Sequence, residues 1–325
     1  MGDALHVSVS THAGYTATRP SVVEGAAYTE DYSVQFRVGR KWVSCILDGH
    51  GGHSVAAACA ALVPALAAEC FARRDTTEGA LVLLFERLDA EISRHPSESG
   101  ATCNVTVVED GVMTVASLGD SPTFVYEPTT TAGYRLVFET KDQDCADPEE
   151  QRRLRALGLY VYEQKVLGAG GVMYGTGVFR CRTAAKKDMM TMSSLGDSEQ
   201  DEPRGAVNRV PRVYPGMRIA RGSVVVHCSD GCLEDVAPYA PSLLVPSAAK
   251  RVGKIAAHIE ETMCPECGLL ATADVAGHIT RRQIESIARE RSVLMGACTE
   301  DRGWVERTFD NQTVVAVYFG EPCGC

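Results

Sequence analysis

Four aspartates stand at the ends of apolar runs, each in a short signature of its own: Cys45-Ile46-Leu47-Asp48-Gly49-His50-Gly51-Gly52, Ser117-Leu118-Gly119-Asp120-Ser121, Val226-His227-Cys228-Ser229-Asp230-Gly231 and Phe309-Asp310-Asn311-Gln312-Thr313. A carboxylate at the end of a buried strand is costly to desolvate unless something positive neutralises it, and several converging carboxylates call for a cation. The plainest chemistry is a metal site assembled from distant segments. Glu30-Asp31, directly before the run Tyr32 to Phe36, adds two more carboxylates. Hard oxygen donors without an accompanying His/Cys set favour Mg²⁺ or Mn²⁺ over Zn²⁺. Gly49 and Gly51-Gly52 let the backbone turn sharply and expose the Gly49 carbonyl as a further oxygen ligand. A carboxylate shared by two ions would let one bridging water lose its proton near neutral pH and be held for in-line attack.

The elements that must position these groups follow from periodicity. Tyr32 to Leu47 reads as two β-type runs around a Gly39-Arg40-Lys41 turn, the second ending in the first aspartate signature. Helical spacing follows from His53 to Arg74, interrupted only by Pro64, and again from Glu78 to Arg94. Cys103 to Val108, Val112 to Leu118 and Thr123 to Tyr126 predict an antiparallel meander. Pro148 to Leu157 reads as a short helix, then Gly-rich turns around Gly168 to Gly177. Gly168-Ala169-Gly170-Gly171 lacks the Lys-Ser/Thr of a phosphate-binding loop, so no nucleotide cofactor is implied. Val224 to Cys228 is a strand, Ala248 to Met263 and Arg281 to Met295 are helical, and Thr313 to Phe319 is a closing strand. This order implies one α+β domain over residues 1–325, a sandwich with sheets inside and helices outside. The polar stretch 198–212 predicts a mobile surface loop, and residues of about 262–280 a surface insert.

Taken singly, an Asp-Gly pair is usually a turn. Together the signatures resemble the metal-dependent Ser/Thr protein phosphatases of type 2C, the PPM family. The resemblance runs in order through Thr29-Glu30-Asp31, Asp48 to Gly52, Ser99-Gly100-Ala101-Thr102, Leu118-Gly119-Asp120-Ser121, Leu195-Gly196-Asp197, Ser229-Asp230-Gly231 and Asp310-Asn311-Gln312-Thr313. It implies a central β-sandwich of two antiparallel sheets flanked by helix pairs, a four-layer αββα arrangement, with a two-metal cluster at one end. Carried over, Asp48 bridges two Mg²⁺ or Mn²⁺ ions, Glu30 and the Gly49 carbonyl serve one, and Asp230 and Asp310 hold the other. Asp31 binds metal-bound water, Asp120 with Asp230 binds a third ion found in some members, and His50 is the general acid for the leaving serine or threonine oxygen. A bridging hydroxide attacks phosphorus while the metals neutralise the equatorial oxygens. Asp197 is read as a structural residue of its loop.

The chain departs from the family pattern in two places. Ala26 stands where the family has an arginine that binds the substrate phosphate, which leaves Arg19, Arg37 and Arg40 as replacements to consider. Met192-Ser193-Ser194-Leu195-Gly196-Asp197 likewise lacks the arginine of the family's Ser-Arg-Ala-Leu-Gly-Asp. Between Asp230 and Asp310 lies Cys264-Pro265-Glu266-Cys267, with Cys323 and Cys325 as the only second pair, and the sequence favours unpaired thiols there over a structural zinc.

Bulk properties bound the rest. Lys plus Arg number 32 against 42 Asp plus Glu, a formal charge of −10, which argues against a nucleic-acid or anionic-membrane partner. No signal-like apolar core opens the chain and no run of about 18 apolar residues occurs, so a soluble intracellular protein of cytoplasm or nucleus is expected, acting as a monomer. Thirteen cysteines, an odd number with several in apolar runs, suit buried reduced thiols better than a disulfide framework. The leading function is a metal-dependent phosphatase acting on phosphorylated proteins. A catalytically silent member that binds phosphoproteins as a regulator is the alternative, motivated by Ala26 and Ser193. A metal phosphodiesterase or nuclease is disfavoured by the acidic balance.

Overall fold

The computed structural model describes residues 5–12, 22–23, 26–27, 29–94, 98–130, 133–167, 173–232, 248–297, 312–321 and 323–324. Arg19, the Gly168 to Gly171 run, Asp310 and Cys325 lie outside them. Ten strands make the sandwich: β1 (Leu5–His12), β2 (Tyr32–Val38), β3 (Lys41–Leu47), β4 (Cys103–Glu109), β5 (Val112–Leu118), β6 (Thr123–Pro128), β7 (Tyr134–Glu139), β8 (Arg212–Arg218), β9 (Val224–Cys228) and β10 (Gln312–Phe319). They form two five-stranded antiparallel sheets, ordered β8-β5-β4-β3-β2 and β1-β10-β9-β6-β7.

The strands are apolar on both faces because both faces are covered. In β3, Val43, Cys45 and Leu47 face the helix α1 (Ser54–Arg73) and the helix α2 (Thr77–Ile92), where Leu84 and Phe85 meet them, whereas Trp42 and Ile46 face the other sheet. In β10, Val315, Val317 and Phe319 fill the space between the sheets, and Val314, Ala316 and Tyr318 pack with Ile255 and Ile279. Those two come from the helices α4 (Ala248–Glu260) and α5 (Val275–Ala297). The period of two along a strand thus serves two cores at once. The result is the four-layer αββα sandwich that the sequence implied. The intervening short helix α3 (Pro148–Ala156) starts where Asp147 caps it, accepting from the Glu149 amide at 3.0 Å, with Pro148 in its first turn.

Helix α1 is long and apolar enough to cross a membrane by length and composition. Here it packs against β2 and β3, with Val55, Cys59, Val63, Leu66 and Cys70 buried.

Three expectations need correction. The meander stops after β5: β6 pairs with β9 and β7, so the chain crosses to the second sheet through Gly119 to Pro122. Gly175 and Gly177 lie within a strand, Met173–Arg182, which pairs with Tyr160–Leu167. Helix α5 begins at Val275, ahead of the Arg281 start read from periodicity. Across residues 198–212 the chain is anchored from within, because the Asp201 carboxylate accepts from the amides of Gly205 and Val207 and from Arg209, and Ala206 and Val207 are buried.

Candidate metal and phosphate site

Strand register gathers the carboxylates. Tyr32 pairs with Leu47, so Glu30-Asp31 and Asp48 stand together at one end of the β2–β3 hairpin. Cys103 pairs with Leu118, which sets Asp120 just past the same end. In the second sheet Thr123 pairs with His227 and Cys228 with Val314, bringing Asp230 to that end too. Ser229 secures it, since its amide donates to the Thr313 carbonyl and its hydroxyl accepts from the Thr313 amide, both at 3.0 Å. Glu30, Asp48, Asp120 and Asp230 line one cleft of about 330 Å³, with Gly49 and His50 on its wall. A side chain at Gly49 would put its Cβ 2.5 Å from the Glu30 carbonyl oxygen, so the close approach of the two segments requires glycine.

The acids repel one another. Asp31 is buried and neither carboxylate oxygen has a hydrogen-bond partner of good geometry. Burial first, and then the Asp230 charge, push its carboxyl up to about 6, against the opposing help of the nearby Ser229 and Thr313 hydroxyls. Burial and the charges of Asp230, Asp142 and Asp144 hold the Asp120 carboxyl well above the usual carboxylate range. An orphaned buried carboxylate inside a cluster of hard oxygen donors fits a divalent cation, and the residues present are of the type Mg²⁺ or Mn²⁺ takes.

Sequence reading missed Asp142 and Asp144. They follow β7 in Lys141-Asp142-Gln143-Asp144, a segment tied to the Asp120 turn by the Gln143 amide, which donates to the Gly119 carbonyl at 2.9 Å. The signal available was an acidic pair leaving a strand.

His50 lies in a three-stranded ladder with Gly100 and Gly196 on successive strands. Its Nε2 is 2.6 Å from Asp197 Oδ2, an oxygen that also accepts from the Ser194 hydroxyl at 2.6 Å. Partial burial works against a charged imidazole, yet the hydrogen bond to Asp197 and the charges of Asp197, Glu30 and Asp230 outweigh it, and the His50 pKa is raised. A Cβ at Gly100 would lie 2.1 Å from Asp197 Oδ2 and 2.4 Å from His50 Nε2, so this pair exists only because position 100 has no side chain. Asp197, read from sequence as structural, is thus the direct partner of His50. The loop that lacks the family arginine is held instead by Arg209, which donates to the Gly196 carbonyl at 3.1 Å and pairs with Asp89 and Asp201.

The expected phosphate ligands fare differently. Arg19 falls outside the described residues, as does the metal-ligand candidate Asp310, and Ala26 lies in a two-residue strand paired with Val23. Arg37 and Arg40 sit at the turn end of the β2–β3 hairpin, opposite the acids, and Arg40 pairs with Asp110. The cations lining the cleft, among the described residues, are Arg180 and Lys187, which no motif indicated. Arg180 donates to Gln164 Oε1 at 2.9 Å, and Lys187 reaches Glu98 at 3.3 Å.

Several solved structures share this architecture. One titled as a C. elegans sex determining protein aligns with a TM-score of 0.61 at 19% identity over 98% of this chain, and the chain spans 65% of that protein. A serine-threonine phosphatase 2C from Toxoplasma gondii aligns with a TM-score of 0.64 at 17% identity, covering 98% of this chain and 97% of that one. A serine/threonine phosphatase of S. agalactiae gives 0.53 at 17% identity, covering 97% and 100%. At these identities the likeness is one of fold. No curated protein matches the sequence. The family model described as Protein phosphatase 2C matches residues 34–216, more than half of the chain, a stretch that holds Asp48, His50, Asp120 and Asp197. On that match, the chain belongs to the protein phosphatase 2C family.

Proposed function

We propose that the protein is a metal-dependent serine/threonine phosphatase that hydrolyses phosphoserine and phosphothreonine in protein substrates. The observation that carries this reading is the convergence of Glu30, Asp48, Asp120 and Asp230 on one cleft that also presents His50 on Asp197, with the buried Asp31 beside Asp48 and Asp230. Asp48, Glu30 and the Gly49 carbonyl would hold one ion and share Asp48 with a second on Asp230 and Asp310, with Asp31 behind them and Asp120 available for a third. Mg²⁺ or Mn²⁺ bound there supplies an activated water and neutralises the phosphoryl oxygens.

This chain's own residues do the rest. Asp197 takes His50 Nε2, which leaves the Nδ1 edge to hand a proton to the departing alkoxide. The raised His50 pKa favours the form that carries this proton. Arg180 and Lys187 supply the positive charge that Ala26 does not, with the arginine fork suited to two phosphoryl oxygens.

Hydrolysis of p-nitrophenyl phosphate and of a phosphothreonine peptide, with Mn²⁺, Mg²⁺ or chelator, tests the proposal on wild type, Asp48→Ala and Asp310→Ala. Metal-dependent turnover lost in both variants supports it. No turnover by wild type above the Asp48→Ala background, with Mn²⁺ binding still visible by calorimetry, would overturn it in favour of a silent binding protein.

A further inference from the structure

The far end of the sandwich holds a second cluster of metal-ligating side chains. Cys264, Cys267 and Cys323 bring their sulfurs within 4.8 Å of one another. Cys267 and Cys323, 56 positions apart, have their sulfurs 3.3 Å from each other, well beyond the ~2.05 Å of a disulfide. A tetrahedral zinc with Zn–S bonds of ~2.3 Å would set neighbouring sulfurs about 3.8 Å apart, inside the spread seen here.

The backbone builds this arrangement independently of any ion. Cys264-Pro265-Glu266-Cys267-Gly268 folds into a tight turn in which the Gly268 amide donates to the Cys264 carbonyl at 2.8 Å, and Gly268 adopts φ +68°. The Cys264 amide donates to Leu269 O at 2.8 Å, and the Cys323 amide donates to Leu270 O at 2.7 Å, fastening the C-terminal segment beside the turn. Three soft thiolate donors make a site of different chemistry from the oxygen cluster. It is also remote, because Cys323 follows the Phe319 end of β10 whereas the acids stand at the Gln312 end, about 23 Å away along an eight-residue strand.

We propose that Cys264, Cys267 and Cys323 bind a structural zinc ion that staples the segment after β10 to the connection between α4 and α5. Cys325, two positions on in the sequence, lies outside the described residues. Such an ion would hold the second helix layer to its sheet without taking part in phosphate chemistry.

Metal analysis of the full-length protein, purified under reducing conditions and dialysed against metal-free buffer, tests this. About one zinc per chain is expected, along with a thiolate-to-cobalt charge-transfer band on exchange with Co²⁺. Both should vanish in Cys264→Ser/Cys323→Ser. Wild-type reduced protein that takes up neither Zn²⁺ nor Co²⁺ would overturn the site, and so would zinc retained in the double variant. A Cys267–Cys323 disulfide that forms in air and is unaffected by prior zinc loading would also overturn it.

Discussion

His50 and Asp197, 147 positions apart, meet at 2.6 Å through Nε2 and Oδ2, and the aspartate is itself fixed by Ser194. The pair raises the His50 pKa, so its contribution to stability is fully present below the unfolded value of 6.5 and is lost as pH rises through the higher folded value. Asp197→Asn should therefore move the alkaline limb of the kcat profile to lower pH. A proton donor matters most for a poor leaving group. His50→Gln should cost about 10²–10⁴-fold in kcat on a phosphothreonine peptide and far less on p-nitrophenyl phosphate. Equal losses on the two substrates would mean that His50 acts only on the structure of the loop.

Gly100 makes that pair possible. Gly100→Ala would thrust a methyl group to 2.1 Å from Asp197 Oδ2 and 2.4 Å from His50 Nε2, so one of the two must move. The expected outcome is a cooperative fold destabilised by about 1–3 kcal/mol, with the substrate-dependent kcat loss of the His50 variant. Full activity in Gly100→Ala would show that the His50–Asp197 contact is dispensable.

The acid cluster was legible in the sequence because each carboxylate ends a strand, and antiparallel register carries strand ends to one place. Asp197 could not be assigned in the same way. Its contact with His50 depends on a ladder of two-residue strands, Gly49–His50, Gly100–Ala101 and Leu195–Gly196, too short to leave a periodic signal. The crossing from β5 to β6 was hidden because strands covered on both faces read as equally apolar whichever sheet they join. Strand β1 was missed because it is an edge whose Val7 and Val9 are exposed among Ser and Thr, which lowers its apolar signal. Arg180 and Lys187 left no trace, since a charged residue aimed at a cleft and one aimed at bulk water look alike in one sequence.

Phosphate binding separates those two cations from the arginines nearer Ala26 in sequence. Arg180→Ala should raise the inhibition constant for inorganic phosphate and KM for the peptide about tenfold, an effect of about 1.4 kcal/mol, the size of one charge-assisted contact. Arg180→Lys should restore little, because a point charge does not reproduce a two-pronged contact. Lys187→Ala should act in the same direction, more weakly, since Lys187 already has Glu98 at 3.3 Å. Arg40→Ala, at the other end of the hairpin, should change neither constant, and if it matched Arg180→Ala the cleft assignment would be wrong.

Asp31 offers a test with opposite signs in one variant. Its folded pKa of about 6 lies above the model-compound value of 3.8, so its cost to the metal-free fold is absent at low pH and grows as pH rises between those values. Asp31→Asn should raise the Tm of chelator-treated protein at pH 7.5 and change it little near pH 3.8. The same variant should bind Mn²⁺ more weakly in calorimetry. A drop in metal-free Tm at pH 7.5 would mean that the charged carboxylate is stabilised by the fold.

His227 sets the acid side of stability through a different layer. It is buried between the sheets, where its Nε2 meets the Thr106 hydroxyl and its Nδ1 has no hydrogen-bond partner. Burial pushes its pKa down to about 3, so the folded state holds it neutral. Because the unfolded chain takes up a proton near 6.5 and the folded chain does not until about 3, stability present above 6.5 is lost as pH falls across that interval. His227→Gln keeps a group able to hydrogen-bond Thr106 but cannot titrate. Urea unfolding of wild type and His227→Gln at pH 7 and pH 4.5 isolates the effect, since groups common to both proteins cancel in the difference. The wild type should lose more stability than the variant between the two pH values. Parallel losses would show that His227 carries its proton equally in the folded and unfolded chains, and that acid unfolding begins elsewhere.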